Sequence, residues 1–281
     1  MRAVSRSSQV VSSIVGLTNM PRSARPRDQD FSAIPPAYGY RQGMNPASGF
    51  ERVYVHGAGR RGRDAWPAQG IGAGRFFSFP SESSIEQQVA SLLSAGSGTR
   101  VILFAHSIGA VPAVLAAASR SVDVTGLVLV EPALYDIARG SAPVERHISI
   151  VSEARALAAT GDLRGFWAIL RPLMFGGPYD DELWDRERPI AQHWAATNLP
   201  WGHGVRASMV RSVPTLVVTG GWNGEYEEIA AVLTTEGARH ETLAGAGHRP
   251  QDLPTFPALV AGFERDAVRE NPDDHGVSFG G

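Results

Sequence analysis

The chain has 281 residues, 43% of them hydrophobic and 19% charged, with a formal net charge of −2. That length and composition suit one large α/β domain with an insertion and an ample core, and the near-neutral charge, with no dense Lys/Arg stripe, argues against nucleic acid as a partner. Cysteine is absent, which removes disulfides, thiolate metal sites and a Cys nucleophile together and fits a cytoplasmic location, and no run approaches the roughly 20 apolar residues of a membrane span.

Residues 1–43 are rich in Ser, Arg and Pro. Their apolar portion, Val10 to Leu17, is short and diluted by serine, where a secretory signal needs a cleaner apolar stretch. The segment reads as a flexible arm, with Met20 and Met44 as alternative starts. Regular patterning begins near residue 51. Arg52–Val55 predicts a strand ending in His56-Gly57-Ala58-Gly59, and Arg60, Arg61 and Arg63 read as a solvated loop. Arg75–Phe79 predicts a second strand, stopped by Pro80. From Ser84 to Leu93 the apolar residues Ile85, Val89, Leu92 and Leu93 share one helical face. Arg100–Ala105 is almost unbroken in its apolar character, as a strand covered on both faces requires. A small-residue helix follows over Ala110–Ser119, then a fourth strand over Gly126–Val130. A fifth strand at Thr215–Thr219, a helix at Glu225–Leu233, a short strand at Arg239–Leu243 and a closing helix at Pro257–Val268 complete the pattern.

Strands alternating with helices predict a doubly wound, mostly parallel α/β sheet, its core spanning 44–134 and 213–270. Residues 135–212 break the alternation with helical patterns at Ser152–Ala159 and Leu163–Leu170. They read as a helical cap whose Trp167, Trp184, Trp194 and Trp201 serve mainly in packing. Residues 271–281 read as a flexible tail.

Three short motifs carry chemistry. The first is Ala105-His106-Ser107-Ile108-Gly109, set between an apolar strand and a small-residue helix. A nucleophile presented on a sharp strand-to-helix turn needs small residues two before and two after it, and Ala105 and Gly109 satisfy that need. A plain N-cap serine is the competing reading. The second is His56-Gly57-Ala58-Gly59, where small residues let backbone approach a substrate. An acyl-transfer enzyme needs two donors on its oxyanion, and the N–H groups of Ala58 and Ile108 are the candidates, against a simple glycine turn. The third is Gly245-Ala246-Gly247-His248, after the last strand, where a histidine can reach back to a serine as base, against a surface-loop histidine.

Together these motifs resemble the α/β-hydrolase superfamily, in its serine-nucleophile branch with HG-type oxyanion loops and a helical cap, over roughly residues 51–265. The resemblance implies the chain order Ser, acid, His, with Ser107 as nucleophile and His248 as base. It leaves His56 to shape the oxyanion loop and His106 as a pocket or packing residue. Many members place Asp after the fifth strand, where this chain has Asn223 and Glu225. Others place the acid one strand earlier, where Val128-Leu129-Val130 ends in Glu131. Glu131 is the preferred acid, with Glu225 and Asn223 as alternatives.

The implied activity is hydrolysis of an ester, lactone or similar acyl bond of a small molecule, without metal or organic cofactor. Serine at the elbow argues against the dehalogenases and epoxide hydrolases of this fold, which use Asp there. Carbon–carbon bond hydrolases, lyases and cofactor-free oxygenases stay open, as does a non-catalytic binding protein. Asp180, Asp181, Glu182, Asp185 and Glu187 argue against a membrane-surface lipase.

Overall fold

A computed structural model describes residues 49–70, 73–96 and 98–270. The N-terminal arm with Met20 and Met44, and the tail from residue 271, lie outside the described residues. The strands are β1 (Glu51–Val55), β2 (Arg75–Phe76), β3 (Val101–His106), β4 (Val124–Val130), β5 (Thr215–Thr219) and β6 (Arg239–Thr242). They form one sheet in the order β2-β1-β3-β4-β5-β6, with every pairing parallel. The helices are α1 (Ile85–Gly96), α2 (Ala110–Ala118), α3 (Ala142–Ala159), α4 (Leu163–Phe175), α5 (Trp184–Ala196), α6 (Gly224–Thr235) and α7 (Phe256–Glu270). This is the doubly wound α/β fold expected from the sequence.

All of β3 is buried, as is β4 after its first residue. Alternate residues point to opposite faces of a strand, so each apolar run fills two cores at once. Tyr54, Ile102, Phe104, Val128, Val130, Leu216 and Val218 pack with Phe256, Val260 and Phe263 of α7. Val53, Val101 and Leu103 face the other way, toward Leu92 of α1 and Ala116 of α2. Gly126 lets α7 come close, since a Cβ there would lie 3.2 Å from the Phe263 ring. Arg52 adds a two-pronged ion pair from β1 to Glu264 of α7 at 2.6 Å.

The second strand is shorter than predicted. Phe77 N–H still bonds the Tyr54 carbonyl at 2.9 Å, but the Phe79 N–H turns to His56 Nε2 at 3.1 Å. An imidazole has replaced the backbone acceptor that would have continued the ladder. Among the described residues, no helix is long and apolar enough to cross a membrane.

Between β4 and β5 the chain forms α3, α4 and α5, and Glu145–Thr197 is a compact unit of its own. The sheet unit takes in residues 135–144 and 198–212. Within the helical unit, the buried Trp167 donates its indole N–H to Glu187 Oε2 at 2.7 Å, and Arg171 Nε shares that carboxylate at 3.2 Å. Phe175 packs between Trp167 and Trp194, with centroids 5.6 and 6.0 Å away. Asp162 caps α4 by accepting the Gly165 N–H at 2.8 Å. The sequence reading does not anticipate α5, whose charged first turns and internal Pro189 hide its periodicity.

Candidate active site

The strand order reverses around β1 and β3. The chain runs from β1 outward to β2, then crosses back to β3 on the other side of β1. In an open parallel sheet such a switch point opens a crevice at the carboxyl ends of the two strands. The loops that leave there are His56–Gly59 and the turn at Ser107.

Ser107 has φ 55, a left-handed conformation that non-glycine residues adopt at a cost of about 1–2 kcal/mol. Its surroundings hold it there. Its carbonyl accepts the Ala133 N–H at 3.1 Å. A Cβ on Gly109 would lie 2.4 Å from the His56 carbonyl oxygen, and one on Gly57 would lie 3.0 Å from the Ser107 Cβ. The first loop therefore rests directly on the Ser107 turn, which is why both positions are glycine. Ala58 follows Gly57 in that loop, and Ile108 follows Ser107 ahead of α2, whose N-terminus brings positive partial charge. His56 shapes the loop through both ring nitrogens: Nε2 accepts from Phe79, so Nδ1 carries the proton and donates to the Gly57 carbonyl at 2.7 Å. Burial lowers its pKa below the ordinary histidine value.

Glu131 follows β4 directly, is fully buried and has φ 46. Its N–H bonds the Val218 carbonyl at 2.8 Å, which fixes it against β5. Its carboxylate is held by three donors. Oε1 accepts the Gly220 N–H at 2.5 Å, and Oε2 accepts the Trp222 indole N–H at 2.9 Å. His248 Nδ1 lies 3.3 Å from the same Oε2. A buried carboxylate with three donors is the satisfied arrangement that burial of a charge demands.

His248 stands on the loop between β6 and α7. A Cβ on Gly220 would lie 2.2 Å from the Gly247 carbonyl oxygen, so the loop after β5 supports the loop of His248 in direct contact. The imidazole is ringed by His106, Tyr226 and Trp222, with centroids at 4.7, 5.1 and 6.1 Å. His106 Nε2 also bonds the His248 carbonyl at 2.8 Å. Burial first, then the proximity of His248 and Arg249, push His106 well below the ordinary histidine range, so it stays neutral.

The two alternative acids are occupied elsewhere. Asn223 Oδ1 accepts the Glu225 N–H at 3.0 Å and caps α6. Glu225 is buried and accepts the Tyr135 hydroxyl on Oε2 at 2.5 Å. Sequence reasoning missed Trp222, Tyr226 and Tyr135. Trp222 was visible only as a neighbour of Asn223, and nothing in local spacing points to Tyr135. Among the described residues, no group of three or more His, Cys, Asp or Glu is placed to hold a metal ion.

The sequence over residues 53–262 matches the alpha/beta hydrolase family, and the chain belongs to it. No curated protein matches the sequence. Among solved structures, MenH from S. aureus aligns with a TM-score of 0.56 at 16% identity, over 80% of this chain and 97% of that one. A carboxylesterase structure from the ammonia-oxidizing thaumarchaeon Nitrososphaera gargenis aligns at 0.54 and 14% identity, over 83% and 95%. The hydrolase olei00960 from Oleispira antarctica aligns at 0.54 and 15%, over 79% and 93%. At such identities the likeness is one of fold.

Proposed function

We propose that the protein is a serine hydrolase that cleaves an ester, lactone or similar acyl bond of a small molecule. Ser107 is the nucleophile, His248 the general base and then acid, and Glu131 the acid that orients His248. The observation that carries this reading is the Glu131 carboxylate, buried at the end of β4 and 3.3 Å from His248 Nδ1.

A carboxylate at Nδ1 keeps that nitrogen protonated and leaves Nε2 as the basic atom. Ser107 Oγ then attacks the acyl carbon as its proton passes to Nε2, and Glu131 stabilises the imidazolium that forms. The N–H groups of Ala58 and Ile108 receive the oxyanion, where loss of one donor typically costs about 10²–10³ in kcat. His248 returns the proton to the leaving group, and water releases the acyl group by the same steps in reverse.

The direct test is reaction with a fluorophosphonate, followed by peptide mass spectrometry. The expected adduct is on Ser107 and absent from Ser107→Ala. Folded wild-type protein that forms no adduct would overturn the reading.

A further inference from the structure

The loop between β5 and α6 gives neither acid nor base to the acyl transfer above, yet it supplies two of the three donors on Glu131. The Gly220 N–H donates to Oε1 at 2.5 Å, and the Trp222 indole N–H donates to Oε2 at 2.9 Å. Oε2 is also the oxygen that faces His248 Nδ1, at 3.3 Å. One carboxylate oxygen therefore serves both the indole and the imidazole, with a lone pair for each.

The loop is shaped for this contact. Gly220 is bare where the indole passes, since a Cβ there would lie 2.8 Å from Trp222 Cδ1. Gly221 turns the chain with φ 67, and a Cβ on it would lie 2.8 Å from the Thr242 methyl of β6. Asn223 follows Trp222 and caps α6 by accepting the Glu225 N–H at 3.0 Å. Trp222 is thus held between a tight turn and a helix cap. Its ring stands edge-on to His248, 6.1 Å away at 76°, and 6.0 Å from Tyr226. The side chain is only half-buried, so water was available to its N–H. The N–H turns instead to a fully buried carboxylate.

Two pinned oxygens fix the plane of that carboxylate. With Oε2 released, the group would turn about its last torsion and Oε2 would leave the line to Nδ1. The Trp222 bond is shorter than the His248 contact, so the indole sets where Oε2 stands. It does so whether His248 is neutral or protonated, because an indole N–H only donates. The carboxylate is therefore in place before the imidazolium forms and needs no reorganisation when it does.

Resting on the serine-hydrolase reading, we propose that Trp222 is a positioning residue for the reaction, its indole N–H fixing Glu131 Oε2 against His248 Nδ1. It exchanges no proton, and it acts on Ser107 through Glu131 and His248.

The test is the second-order rate of fluorophosphonate labelling at Ser107 as a function of pH. Trp222→Phe removes the donor but also part of the ring. A second variant carries β-(3-benzothienyl)alanine at position 222, which keeps the fused rings and puts sulfur in place of the N–H. Both should label about tenfold more slowly than wild type, the scale of one hydrogen bond to a charged group. Relieved of a donor, Oε2 holds the imidazolium more firmly, so half-maximal labelling should move to higher pH. The imidazole also faces His106 and Tyr226, whose contacts the isosteric variant leaves in place. In a Glu131→Gln background the same replacements should have little further effect, since the charged acceptor is gone. A merely structural tryptophan would cost the same factor in both backgrounds and leave the pH profile where it was. An isosteric variant that labels at the wild-type rate, an unmoved pH profile, or a loss of equal size in both backgrounds overturns the proposal. Wild type that forms no Ser107 adduct would instead mark failure of the serine-hydrolase reading beneath it, and the proposal would fall with that reading.

Discussion

His106 donates its Nε2–H to the backbone carbonyl of His248 at 2.8 Å. A carbonyl only accepts, so this bond sets the His106 tautomer and ties the residue before the proposed nucleophile to the loop of the proposed base. Replacing His106 by Ala removes the donor and should cost about 1–3 kcal/mol of stability. It should also lower kcat more than it raises KM, because the loss is in the placement of His248. Denaturant unfolding and steady-state kinetics read the two effects. A kcat equal to wild type would show that the His248 loop holds its place unaided.

The same burial gives a pH dependence of stability. His106 and His56 both have lowered pKa values in the native protein, each mainly through burial. The unfolded chain takes up protons on them as pH falls below about 6.5, while the native state does so only at lower pH. More protons bound by the unfolded state means that stability rises with pH, so their contribution is full above about 6.5 and is lost below it. The urea midpoint should decline on acidification, and His106→Gln should flatten the decline. At the alkaline end, burial pushes Tyr54 up to about 12. Its contribution is lost as pH rises from about 10, the unfolded value, through the native one.

Gly220→Ala tests the support beneath His248. The new Cβ would lie 2.2 Å from the Gly247 carbonyl oxygen, a backbone atom that cannot swing aside. The loops must part, at a cost of about 1–3 kcal/mol for overpacking. The Gly220 N–H on Glu131 and the position of His248 move with them, so melting temperature and turnover should fall together. A variant as stable as wild type would contradict the packing described.

Asn223 separates a cap from a catalytic acid. As the N-cap of α6 it should cost about 1 kcal/mol when changed to Ala. The fluorophosphonate labelling rate of Ser107 should stay near that of wild type. A marked loss of labelling would return Asn223 to the candidates for the acid.

Much of this architecture was legible because parallel strands advertise themselves. Val101–His106 and Val124–Val130 are buried strands with long apolar runs, and the turn residue Gly109 is glycine because the His56 carbonyl lies against it. Glu131 was singled out through the resemblance to a family in which some members carry the acid at the end of this strand, where this chain has its first charge after an apolar run. What local spacing does not encode is contact across the chain. Tyr135 and Glu225 are 90 positions apart, and no periodicity links a tyrosine after β4 to a glutamate opening α6. The shortening of β2 depends likewise on a side chain from another strand, since His56 captures the Phe79 N–H. The helix α5 was hidden for a local reason, its charged first turns and Pro189.

In the proposed mechanism Glu131 orients His248 and balances the charge that His248 gains as Ser107 attacks. The measurement that tests it most directly is the second-order rate of fluorophosphonate labelling at Ser107 in wild type and in Glu131→Gln, with folding checked by circular dichroism. The variant keeps the shape of the side chain but loses its charge, and labelling should slow by about 10²–10⁴-fold. A folded Glu131→Gln protein that labels at the wild-type rate would contradict the claim.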